Sequence, residues 1–294
     1  MQITASLVKE LRERTGAGMM DCKKALTETD GDIAKAVDWL REKGISKASK
    51  KSGRIAAEGL SRVKSAGNKA VLVEINTETD FVAKNDKFIA LLDGITEAIL
   101  NSDVTTNEEV NALPYEDGTV ADAIVNATAT IGEKISFRRF EVVTKNDDET
   151  FGQYMHNNGA ISALAVVKGG DAAVAKDVAM QVASMNPQYV SSADMDESFV
   201  AHEKAIIEEN IKADESLAGK PEKVLAGILN GRLSKTLKEY CLVDQVYFRD
   251  QNLSVAQFLK QNNAEVVRFV RYLVGEGIEK RQDNFAEEVA NAFN

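Results

Sequence analysis

The chain has 294 residues, enough for two to three domains of roughly 100–200 residues, each with a core of its own. It carries 46 acidic against 36 basic residues, a net charge of −10 that argues against nucleic acid as the main partner and for a partner with a basic or mixed surface. Only Cys22 and Cys241 are present, far apart and in no metal-type pair, a usage expected of a reducing compartment.

In chain order, the first elements read as three short helices. Thr4 is placed to cap the first, with Ile3 and Val8 as a hydrophobic staple and Gly16 as the stop. Leu7, Val8 and Leu11 form its apolar stripe. A second helix follows Gly18, buries Cys22, Ala25 and Leu26, and ends at Asp30-Gly31. The third repeats Ile33, Ala36, Val37 and Leu40 at helical spacing and is expected to stop at Gly44. This gives a three-helix module over 1–45. Between Ser46 and Arg54 the composition turns to Ser, Lys and Gly, so 46–55 reads as a solvated linker.

Two strand–turn–helix units follow. Val71, Leu72, Val73 and Ile75 form a short apolar strand, Thr77–Asp80 a turn, and Phe88, Leu91, Leu92, Ile95 and Ile99 a helix face. The pattern returns with a strand at Ile161–Val167, a turn and cap at Gly169-Gly170-Asp171, and Val174, Val178 and Val182 on a helix. The expectation is an α+β fold with two related core subdomains, over 56–140 and over 141–190 with 240–274. An inserted helical hairpin is expected over 191–239: Val200, Ile207 and Ile211 line one arm, Lys220-Pro221 breaks it, and Val224 to Leu237 line the return. The sequence leaves open whether that stripe packs on itself or on a second copy, since apolar stripes carry no address. A C-terminal helical module is expected over 275–294.

The sequence carries no recognisable catalytic motif. The chain has no G-x-x-x-x-G-K-[ST] phosphate loop, and Gly16-Ala17-Gly18 follows a helix where a dinucleotide fingerprint would follow a strand. His202-Glu203 lacks the second histidine of a zinc helix, and His156 has no nucleophile beside it in sequence. No catalytic, cofactor-binding or metal-ligating residue is therefore expected. The opening residues are too charged for a secretory leader, and no apolar run of about 18 residues is long enough to span a bilayer. The expected location is the cytoplasm. One loop departs from this plain pattern: Thr79-Asp80-Phe81-Val82-Ala83-Lys84-Asn85 puts a large ring beside a carboxylate directly after a strand. Residue chemistry alone favours Asp80 as a helix cap and Phe81 in the core.

That loop resembles a signature segment of the elongation factor Ts family. So do Leu11-Arg12-Glu13-Arg14-Thr15-Gly16-Ala17-Gly18-Met19-Met20-Asp21-Cys22-Lys23-Lys24-Ala25-Leu26 and, later and in family order, Lys220-Pro221-Glu222, Gly231-Arg232 and Gly275-Glu276-Gly277-Ile278-Glu279-Lys280. The resemblance spans essentially the whole chain. It implies a guanine nucleotide exchange factor, without covalent catalysis or cofactor, whose partner is the GTPase elongation factor Tu. It implies a ubiquitin-associated-like first module that touches the partner's G domain, and a hairpin that serves dimerisation. By residue, Phe81 would insert between helices of the G domain, and Thr79, Asp80, Phe81 and Val82 would disturb its magnesium site. Arg12, Met19, Met20 and Lys23 would dock the first module; Ile131, Gly132 and His156 would add contacts. Around His156, the run Asn157 to Ser162 departs from the family pattern by lacking its arginine and second glycine. One of Met19 and Met20 is also a candidate for filling the module's small core.

Overall fold

A computed structural model describes residues 3–279. The first three helices are α1 (Ala5–Thr15), α2 (Met19–Glu28) and α3 (Ile33–Ser49). Thr4 caps α1 by accepting from the Leu7 amide at 3.3 Å, and Gly16 closes it in the left-handed conformation. Val8, Leu11, Cys22, Ala25, Leu26 and Ala36 make the module's core. The third helix does not stop at Gly44 but continues to Ser49. Gly44 is buried in mid-helix because α3 crosses another helix there, and a Cβ at that point would sit 3.4 Å from the Ala129 methyl. Glycine here serves close approach rather than termination.

The strands β1 (Glu58–Ala66) and β2 (Lys69–Thr77) form a hairpin, followed by the single turn α4 (Asp80–Ala83) and by α5 (Asp86–Leu100). Next come α6 (Asn107–Ala112), the short pair β3 (Pro114–Tyr115) and β4 (Gly118–Thr119), α7 (Val120–Ile131) and β5 (Ser136–Thr144). The second half opens with β6 (Glu149–His156), β7 (Ile161–Gly169) and α8 (Ala172–Met185). The inserted arms are α9 (Glu197–Ala213) and α10 (Glu222–Tyr240). The chain then returns through β8 (Val246–Tyr247), β9 (Asp250–Ser254), α11 (Val255–Gln261) and β10 (Ala264–Leu273).

Two antiparallel three-stranded sheets, β1-β2-β5 and β10-β7-β6, carry the fold. Each central strand is buried on both faces, which is why its sequence is a nearly unbroken apolar run. On β2, Val71, Val73 and Ile75 meet Phe88, Leu92 and Ile95 of α5, while Ala70 and Leu72 face the other sheet. On β7, Ala163, Ala165 and Val167 meet α8, while Leu164 and Val166 face Leu72, Val63 and Val143. The result is helices outside and two sheets back to back inside. The expected division at 140/141 falls inside β5, which pairs with β2 from Ser136 to Thr144 and so keeps those residues in the first sheet.

A buried carboxylate joins the sheets' far end to the chain's exit. Glu74, 0% exposed, accepts from Arg138 at 2.8 Å, Arg139 at 2.6 Å and the Gly275 amide at 2.9 Å. The arms pack on each other through Ile207 and Ile211 of α9, with Leu217 of the connecting turn, against Leu225, Ile228, Leu229 and Leu233 of α10. Their neck is closed: the Gln188 and Tyr189 amides donate to the Tyr240 carbonyl, and the Leu242 amide donates back to Tyr189. Phe199 sits between Tyr189, tilted at 54°, and Tyr240, met edge to face at 89°, with ring centroids 5.2 and 5.1 Å away. The expected C-terminal module, 275–294, lies outside the described residues beyond Glu279.

Candidate functional site

The turn after β2 is built outward from a carboxylate. Glu133, just past the end of α7, accepts from the Thr77 hydroxyl at 3.0 Å, the Thr79 amide at 2.9 Å and the Thr79 hydroxyl at 2.7 Å. The Thr79 oxygen also receives the Val82 amide, at 3.4 Å, and so caps α4. The cap is thus Thr79 rather than Asp80; the next helix, α5, is capped by Asn85. Asp80 opens α4 and its carboxylate pairs with Lys84 at 2.6 Å, a bond that holds it below the usual aspartate range.

Phe81 is 81% exposed, against the inward placement favoured by residue chemistry alone. The reason is angular. Ala83 is buried and Val82 packs on the first core, so the one-turn helix has already committed its inner face. Two residues of α-helix rotate the chain by about 200°, which leaves Phe81 pointing away.

Ile131 and Gly132 follow directly from α7. Ile131 is half-buried against the first core, whereas Gly132 is exposed at φ 95° and its carbonyl accepts from Lys51. Glu78 reciprocates the Glu133 contact by accepting the Lys134 amide at 2.6 Å, and Lys134 in turn donates to the Arg54 carbonyl at 2.8 Å. The two loops are therefore tied together, and the expected linker is tied to both rather than free in solvent.

Arg12, Met19, Met20 and Lys23 all lie on the outside of the three-helix module. Met19 is 59% and Met20 73% exposed, so neither fills the module's core, to which α2 gives Cys22, Ala25 and Leu26 instead. The module rests on α7 through Gly44 against Ala129 and through Arg41 on Asp122 at 2.7 Å. Arg12 lines a groove with Lys87 and Thr130, one residue before Ile131. The structure thus gathers Arg12, the Thr79–Val82 turn and the 131–132 loop around α7.

His156 stands apart, exposed at the end of β6, with its Nδ1 3.2 Å from the Tyr154 hydroxyl. Its loop is nevertheless fixed to the first sheet. Arg62 donates to the Asn158 carbonyl at 2.8 Å and to Asp93 at 2.6 Å, and the Ser61 hydroxyl donates to the Gly159 carbonyl at 2.8 Å. Gly159 adopts φ 109°, and a side chain there would strike the Ser61 carbonyl. Neither Glu133, Glu78 nor Arg62 stands out in the sequence, because each acts on a loop more than thirty positions away. Among the described residues, no cluster of three or more His, Cys, Asp or Glu side chains could hold a metal, and no helix is long and apolar enough to cross a membrane. Both cysteines are buried and free, and burial beside Asp244 pushes the Cys241 thiol up to about 11.

These features define an α+β protein with exposed side chains on braced loops around α7. Residues 78–276 match the family model described as elongation factor TS. The chain is 52% identical to the elongation factor Ts of Acholeplasma laidlawii (strain PG-8A), over 100% of both chains. The chain belongs to the elongation factor Ts family. Membership makes it a guanine nucleotide exchange factor of translation elongation, with elongation factor Tu as its partner.

Proposed function

We propose that the protein drives GDP from elongation factor Tu by inserting Phe81 into the G domain and so loosening the partner's bound magnesium. The observation that carries this reading is the exposed Phe81 ring on a turn with no slack. Magnesium demands near-ideal octahedral geometry, so a displacement of its ligands by an ångström or so weakens it. Linkage then requires that a factor favouring the nucleotide-free GTPase weaken nucleotide to the same extent. No covalent step and no cofactor of the factor's own enters this scheme. Thr79, Asp80 and Val82 shape the wedge, while Arg12, Met19, Met20 and Lys23 supply a second foothold from the three-helix module. Gly132 and the exposed edge of Ile131 lie beside the wedge, and His156 adds a contact from the second sheet. We extend the reading to self-association through the hairpin, where Ile206 and Val224 remain exposed beside the packed stripe. The cytoplasm, where translation elongation runs, is the matching location.

Release of a fluorescent GDP from elongation factor Tu, followed by stopped flow with and without this protein, tests the scheme. Acceleration is expected at millimolar magnesium, and most of it should vanish in excess EDTA, where the metal is already gone. Equal acceleration in both conditions would refute the magnesium route.

A further inference from the structure

Glu133 takes three hydrogen bonds, all from the strand end and turn that carry Phe81: Thr77 Oγ1 and the Thr79 amide on Oε2, and Thr79 Oγ1 on Oε1. No lysine or arginine is paired with this carboxylate by any ion pair among the described residues, so its bonding is spent on that turn. Directionality makes the arrangement more than a tether. Because Thr79 Oγ1 donates its only proton to Glu133, its lone pairs face the Val82 amide, and the cap of α4 is oriented by the carboxylate. A helix of four residues has little intrinsic stability, so the direction of Phe81 depends on that cap. The other side of Glu133 is anchored as well, since Lys51 holds the Gly132 carbonyl and Glu78 holds the Lys134 amide.

We propose that Glu133 is a positioning residue for nucleotide exchange: it locks the Thr77–Thr79 turn so that Phe81 meets the partner already oriented. It touches neither nucleotide nor magnesium and acts through Phe81. The proposal rests on the wedge reading above. A wedge that is ordered before contact loses less entropy on binding, which is where the gain arises.

Glu133→Gln tests it. The amide keeps the shape but puts an NH2 group where one accepting oxygen stood, so the three donors can no longer all be satisfied. Stimulated GDP release should slow by roughly five- to tenfold per folded molecule, which lies within the coupling measured between neighbouring residues. In a Phe81→Ala background the same change should produce no further slowing, a non-additivity that a merely structural role would not generate. Thr77→Val, which removes one of the three donors, should show a smaller slowing of the same kind and guards against a Glu133 variant that folds poorly. Exchange at the unmodified rate by Glu133→Gln, or equal slowing in both backgrounds, overturns the clamp while leaving the wedge intact. Normal exchange by Phe81→Ala alone would instead overturn the wedge, and the clamp with it.

Discussion

Phe81→Ala separates a contact residue from a core residue through two numbers measured on one sample. Four-fifths of the ring already lies in water, so its removal opens no internal cavity, and stability should fall by less than about 1 kcal/mol. Phe88, seven positions on and 0% exposed, provides the internal standard: Phe88→Ala should cost about 3–5 kcal/mol. For exchange the order reverses. Burying a whole aromatic side chain is worth roughly 1.5–3 kcal/mol, and the exposed four-fifths of Phe81 therefore about 2 kcal/mol. That corresponds to about a thirtyfold weaker engagement of the partner. Thermal denaturation and stimulated GDP release on both variants read the two effects. A Phe81→Ala protein that loses several kcal/mol of stability, yet exchanges normally per folded molecule, would refute the reasoning.

Glu74→Gln should destabilise the core by about 3–5 kcal/mol at neutral pH, because it breaks a buried carboxylate's bonds to two arginines and an amide. Burial works against the Glu74 charge, but the Gly275 amide, Arg138 and Arg139 together outweigh it and hold its pKa below the ordinary glutamate value. Its contribution is therefore present above that ordinary value and lost as pH falls through the depressed one, so the melting-temperature gap between parent and variant should close on acidification. Replacing residues 195–239 with a short linker should spare the melting transition of the two-sheet core and, under the self-association proposed above, lower the molar mass seen by light scattering to less than half of a dimeric parent's; a mass that falls only by that of the removed residues would place association elsewhere. Gly44→Ala should be neutral or stabilising by up to about 1 kcal/mol, since helix propensity improves and the contact with Ala129 stays near van der Waals distance. Gly44→Leu should instead push the three-helix module off α7 and enlarge the radius of gyration in X-ray scattering.

What could be read in advance follows from which forces are local. β2 and β7 are visible because a strand buried on both faces must be apolar at every position. Their neighbours β1, β5 and β6 pass unnoticed: β5 carries Arg138 and Arg139, whose place in a sheet makes sense only once Glu74 is behind them. Helix starts at Thr4 and Asp171 are legible from capping chemistry, but the run of α3 past Gly44 is not, because it depends on Ala129 from a distant helix. At Phe81 the residue type points inward, and only the commitment of Val82 and Ala83 to the core turns it out. The loop's identity comes from resemblance; its bracing by Glu133 comes from a contact 54 positions away that no local pattern announces.

The closed neck at Tyr189, Tyr240 and Leu242 has a consequence for how this architecture can vary over evolutionary time. With both ends of the arm already joined by backbone bonds and by Phe199 wedged between two tyrosine rings, the core does not register how far the chain travels in between. Doubling the length of such an excursion costs only about 0.6 kcal/mol of closure entropy. Lineages are then free to extend, trim or replace the arm by whole helical turns, and selection on its tip proceeds independently of selection on the braced loops around α7.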